Sequence, residues 1–404
     1  MTEPLQLPDL CVPEPGSTTM HRVLSRSLRR AIADFPQVLR LHGRGPCAPD
    51  VAEFLRVVGP LVREEPGAIA AAVRRAEVGV WIRCLRPGSA HPIEPMRGLA
   101  TLLSTIALEL ARQGVLPGSL RLRRFPLRVT SSAGRLALRV PAGTHALRFE
   151  SGGVWAEHRE GEHPLSLEPD DEAFVELPGT QARLALVDDD PLAALEEHPE
   201  KAGNQLDLGG QPVERWRVAL GTALSLIEAH APGFRAEIEL VLQQVVPVGW
   251  DEHRHMSATI QEAIGTVYLS LHPNPMTMAE ALVHEVSHNK ISALLELDPV
   301  LENPRHEIHA SPVRPDPRPL HGVLLAVHAF LPVAALYAAM IDAGHPGSEH
   351  PDFRRRLVHV VRGNHEGAEV LRAHARPTAL GRQLLDEIAE LDLAFMSRWG
   401  GTGP

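Results

Sequence analysis

Over the first 116 positions apolar residues recur mostly at helical spacing, as in VAEFLRVVGPLV and MRGLATLLSTIALELARQGV. The second run stops at Gln113-Gly114 with Pro117 beyond, which reads as a helix end. The period then changes. From Leu120 the stretch LRLRRFPLRVTSSAGRLALRVPAGTHALRFESGGVWAEH alternates apolar and polar residues, with Gly and Ser breaks between the runs. DEAFVELPGTQARLALVDDDP carries that alternation to Pro191, and the polar stretch LEEHPEKAGNQLDLGGQP follows as a linker. Helical spacing returns at VERWRVALGTALSLIEAHAPGF and persists, with one exception. IGTVYLSLH, residues 264–272, reads as a strand just ahead of a helix beginning near Met278. The pattern predicts an α+β fold with a helical N-terminal region over 1–116 and a small antiparallel β module over 117–191. A mainly helical domain over 205–404 completes it.

Composition narrows the class. The chain has 404 residues, 44% apolar and 22% charged, enough for two or three hydrophobic cores in a globular protein. A net charge of −10 argues against binding a nucleic-acid backbone. The opening MTEPLQLPDLCVPEPG has neither a basic stretch nor an apolar run, so no secretory signal is expected. Cys11, Cys47 and Cys84 are far apart with no CxxC, which predicts unpaired thiols and a cytoplasmic protein. Gly322 to Ile341 carries no formal charge over twenty residues. Its alanines, His328 and Pro332 favour a buried core helix over a membrane span.

Fourteen of the 22 histidines fall between His253 and His374. Among them His284-Glu285-Val286-Ser287-His288 forms an HExxH motif inside TMAEALVHEVSHNKISALLEL, which has the apolar face of a helix. Residues four apart on a helix project to one side, roughly 6 Å along the axis, so both imidazoles can reach one divalent ion. Glu285 stands about 100° around, placed to take a proton at the metal's edge. At least a third protein ligand is needed. Ile291 and Leu294 stand where a metzincin extension has Gly and His, and Glu302 and Glu307 lie in a Pro-broken loop. His328, with His321 as the alternative, is the better candidate: the two are seven apart on nearly one face of the apolar helix. Beyond the motif, SPVRPDPRP holds Arg314 and Arg318 on a Pro-stiffened loop suited to grip a carboxylate. Lys290 is one of only two lysines, the other being Lys201, and falls just past the motif.

These residues together resemble the HEXXH-motif family of peptide-modification proteins, associated with ribosomally made and post-translationally modified peptides. The likeness is carried by HEVSHNKISALLELDPV and SPVRPDPRPLHGVLLAVHAF. The family's HExxHxK element matches at His284, Glu285, His288 and Lys290, and its SPWRxDPRP loop matches with Val313 in place of Trp. One position departs: the family continues as GxLHG, whose His is its expected third ligand, and here Leu325 stands there. The resemblance implies Fe(II)- and 2-oxoglutarate-dependent hydroxylation of a side chain in a precursor peptide. Arg318, Arg314 or Lys290 would then hold the cosubstrate's distal carboxylate, and the edge of strand 264–272 would pair with the extended peptide. Two other readings stay open. One is a zinc hydrolase with Glu285 as general base; the other is a metal-free peptide-binding homologue, motivated by Leu325.

Overall fold

The computed structural model describes residues 6–401 except 90, 92, 196, 199–200 and 312–315. Its helices are α1 (Thr19–His42), α2 (Ala48–Val58), α3 (Leu61–Glu64), α4 (Pro66–Val73), α5 (Ala76–Leu85) and α6 (Pro95–Arg112) in the N-terminal part. The strands β1 (Leu120–Leu122), β2 (Arg128–Ser131), β3 (Leu136–Arg139), β4 (Ala146–Glu150), β5 (Gly153–His158), β6 (Gly161–Leu165), β7 (Phe174–Glu176) and β8 (Arg183–Ala185) follow. After the short hairpin β9 (Glu197–His198) and β10 (Lys201–Ala202) come α7 (Val213–His230) and α8 (Pro232–Val241). Then come β11 (Gln244–Trp250), β12 (Ser257–Ala258), β13 (Thr266–Leu271) and α9 (Pro275–Leu295). A second hairpin, β14 (Ile308–His309) and β15 (Arg318–Pro319), leads into α10 (Leu320–Asp342), α11 (Pro351–His374) and α12 (Ala379–Phe395). This is the mainly helical α+β fold that the pattern predicts.

Helix ends follow local chemistry. The Glu94 carboxylate accepts from the backbone N–H groups of Met96 and Arg97, and Pro95 opens α6. Asn274 caps α9 in the same way through Met276 N, with Pro275 at the first helical position. The motif helix therefore begins a turn earlier than the expected start near Met278, and Asn274-Pro275 is the signal for it.

The expected segmentation changes in two places. The N-terminal helices and the strands β1–β5 share one apolar core, in which Leu102 and Phe149 are fully buried. Strands β7 and β8 leave that module and join a second sheet, in the order β12-β13-β11-β8-β7. Within it β13 runs parallel to β11, and β11 parallel to β8. All six residues of β13 are buried, as expected of a strand covered on both faces. Strand β13 also lies between β11 and β12, so it is not the open edge that was expected to receive a peptide.

The second change concerns residues ahead of α1. Leu7, Leu10 and Cys11 belong to the core of the C-terminal part, beside α9 and α10. Leu10 N and Cys11 N donate to the Glu387 carboxylate on α12, each at 2.7 Å. The apolar helix α10 passes the length and hydropathy test for a membrane span, but 72% of its apolar window is buried within the protein. It is a core helix, as the sequence favoured.

Candidate metal centre

α9 is buried almost all round, and Asn289 ties it to its neighbour. Asn289 Nδ2 donates to the Thr266 carbonyl at 3.2 Å, while Asn289 Oδ1 accepts from Gly265 N at 2.7 Å. These bonds lock the motif helix to the start of β13. Gly265 has φ +105°, a conformation that a side chain would strain.

On the opposite side of the helix the two motif histidines face each other. Their Nε2 atoms are 3.0 Å apart, and the ligand atoms of His284, Glu285 and His288 all lie within 4.8 Å of one another. Burial pushes the pKa of both imidazoles down; at His284 the neighbouring His288 adds to the effect, and at His288 the Glu285 carboxylate opposes it. Both rings are therefore neutral, the form that binds a metal. Glu285 is buried, and Thr259 Oγ1 donates to its Oε2 at 2.6 Å. One carboxylate oxygen is thus held while the group stays beside both imidazoles.

His284 forms part of the wall of a cavity of about 1020 Å³. Phe330 of α10 packs on its ring with centroids 4.3 Å apart, and the Arg356 guanidinium lies 5.7 Å from the Phe330 centroid. Arg356 Nε donates to both oxygens of Glu280 at 3.1 Å, and Tyr337 donates to the same carboxylate at 2.9 Å. His255 lines the cavity too. Burial and the neighbouring His272 ring pull its pKa down to about 4.

The remaining sequence candidates are not gathered at this centre. Lys290 Nζ donates to Glu237 Oε1 at 2.7 Å and to the Asp9 carbonyl at 2.9 Å, fully enclosed in protein. It holds structure together instead of offering an ammonium to a cosubstrate. His328 is equally buried, and its Nε2 donates to the Leu10 carbonyl at 2.9 Å. It lies outside the 4.8 Å group. So does His321, which is half-buried beside Leu301 and Arg305. Arg318 contacts Asp316 at 3.3 Å, and its Nε is buried without a partner among the described residues. Arg314 lies outside the described residues. Sequence reasoning missed Thr259, His255, Glu280 and Arg356. Glu280 stands one turn before His284 on α9; the other three belong to no local motif and converge through the packing of β12, α9, α10 and α11.

No family model matches the chain, and no curated protein matches it either. The resemblance to the peptide-modification family therefore rests on its motifs, and the case for a metal on the paired imidazoles. A donor set of two neutral nitrogens with an adjacent carboxylate suits Fe(II) and Zn(II) alike.

Proposed function

We propose that this chain is a metal-dependent enzyme that modifies a ribosomally made precursor peptide in the cytoplasm, by Fe(II)- and 2-oxoglutarate-dependent hydroxylation of a side chain. The observation that carries the reading is the facing pair of neutral imidazoles, His284 and His288, with Glu285 beside them and His284 at the wall of a large cavity. A divalent ion held there supplies positive charge and open coordination positions for a cosubstrate.

His284 and His288 bind the ion, and Phe330 fixes the plane of the His284 ring. Thr259 orients Glu285, which holds or moves a proton beside the centre. Lys290 is spent on Glu237 and Arg318 does not line the cavity, so among the described residues Arg356 is the guanidinium at the cavity wall that could face a carboxylate. The cavity is large enough to admit a peptide side chain.

A zinc hydrolase is the second reading, and one observation favours it: Glu285 is anchored by Thr259 in the manner of a fixed general base. Incubation of the Fe(II)-loaded protein with 2-oxoglutarate separates the two. Succinate release supports the oxygenase; stoichiometric zinc with no succinate, and hydrolysis of peptide bonds instead, supports the hydrolase.

A further inference from the structure

His255 sits in the segment that leads from β11 into β12, on the wall of the cavity that His284 also lines. Its ring packs near the backbone of Ser270 in β13. Its Nε2 is buried and has no hydrogen-bond partner among the described residues. In the neutral imidazole a ring nitrogen so placed can turn its lone pair to an ion.

Two observations connect His255 with the motif helix. Thr259, four residues further along the same segment, donates to Glu285. In addition, His328 does not line that cavity: its ring is enclosed in the core, with Nε2 donating to Leu10. A site with an open catalytic position has three protein ligands, and with Glu285 reserved for proton transfer the helix supplies two.

Building on the metal-dependent reading, we propose that His255 is the third imidazole of the metal centre, joining His284 and His288 through Nε2. His255 stands outside the group within 4.8 Å, so ligation draws the segment from Asp251 to Thr259 toward α9. The start of that segment is folded back on itself, with Asp251 Oδ1 accepting from His253 N and Arg254 N. Its later part is held to β13, where Met256 N donates to Ser270 Oγ and β12 pairs with the strand, so the shift that ligation needs falls on the residues around His255.

The test is titration of the metal-free full chain with Zn(II), for the wild type, His255→Ala, His255→Gln and His321→Ala. Thermal unfolding of each metal-free protein establishes that it is folded. The wild type should bind one ion, His321→Ala should match it within about threefold, and both His255 variants should lose more than about 100-fold. That exceeds the loss when only an outer-shell partner is removed. The visible spectrum of the Co(II)-loaded protein should also change in the His255 variants. Affinity within about threefold of wild type overturns the proposal, as does a smaller loss with an unchanged Co(II) spectrum; either result leaves the metal-dependent reading standing. A folded wild type that takes up no ion overturns both.

Discussion

Lys290 Nζ lies 2.7 Å from Glu237 Oε1, and both side chains are shut away from solvent. Burial raises the Glu237 carboxyl, and Lys290 pulls it back down. Removing one partner strands the other charge, so Lys290→Met should cost about 3–5 kcal/mol of stability by denaturant unfolding. The double variant Lys290→Met with Glu237→Leu should recover most of it. Zn(II) affinity per folded chain should stay at the wild-type value in the double variant. A loss of metal there would return Lys290 to the centre.

The segment ahead of α1 is held like a bound peptide. Glu387 accepts from Leu10 N and Cys11 N, Gln383 accepts from Leu7 N, and Lys290 and His328 donate to the carbonyls of Asp9 and Leu10. Glu387→Ala leaves two backbone donors without their partner and should cost about 2–4 kcal/mol. Glu390→Ala, at an exposed position on the same helix, should stay within about 0.5 kcal/mol. Equal effects of the two in chemical denaturation would mean that the segment is not structural.

Tyr268 Oη is 3.1 Å from Asp188 Oδ2 and 3.2 Å from Asp190 Oδ2. One hydroxyl proton serves one carboxylate, so the cluster is satisfied when the other carboxyl keeps its own proton. Burial raises Asp188 to about 7 and Asp190 to about 6. A carboxyl raised in the folded state binds a proton that the unfolded chain releases near pH 4. Stability from this cluster is therefore present at low pH and falls as pH rises from about 4 to about 7. At roughly 1.4 kcal/mol per unit the loss amounts to a few kcal/mol. Asp188→Asn should flatten the stability profile across that window; an unchanged slope would contradict the assignment.

Much of this was legible in the chain, and the failures have physical causes. The strands after Leu120, the core helix α10 and the motif helix follow from apolar period, although β7 and β8 join a different sheet and the helix starts at Pro275 instead of near Met278. A motif match does not imply a shared face: residues two apart on a helix point to opposite sides, so Lys290, two past His288, faces the core and Glu237. His328 was chosen for its depth in an apolar helix, and depth there means burial against Leu10. Strand β13 looked like a possible edge because nothing local predicts β12, a two-residue strand that covers it. His255 at the cavity wall and Thr259 at Glu285 arrive through tertiary packing alone.

Thr259 matters to the centre only through Glu285. Thr259→Val removes the 2.6 Å hydrogen bond and little volume. Zn(II) affinity should change by less than about tenfold, while succinate production should fall by about 10–100-fold, close to the loss in Glu285→Gln. Full turnover in Thr259→Val would show that Glu285 needs no orienting partner.

The central claim is that His284 and His288 hold a divalent ion that drives chemistry. Metal content of anaerobically purified protein tests it most directly, with His284→Ala as control and 2-oxoglutarate turnover after Fe(II) addition as the companion readout. The account predicts about one ion per chain, lost in His284→Ala, and succinate formed by the iron-loaded wild type. A folded wild-type chain that carries no metal and takes none up on reconstitution would contradict it.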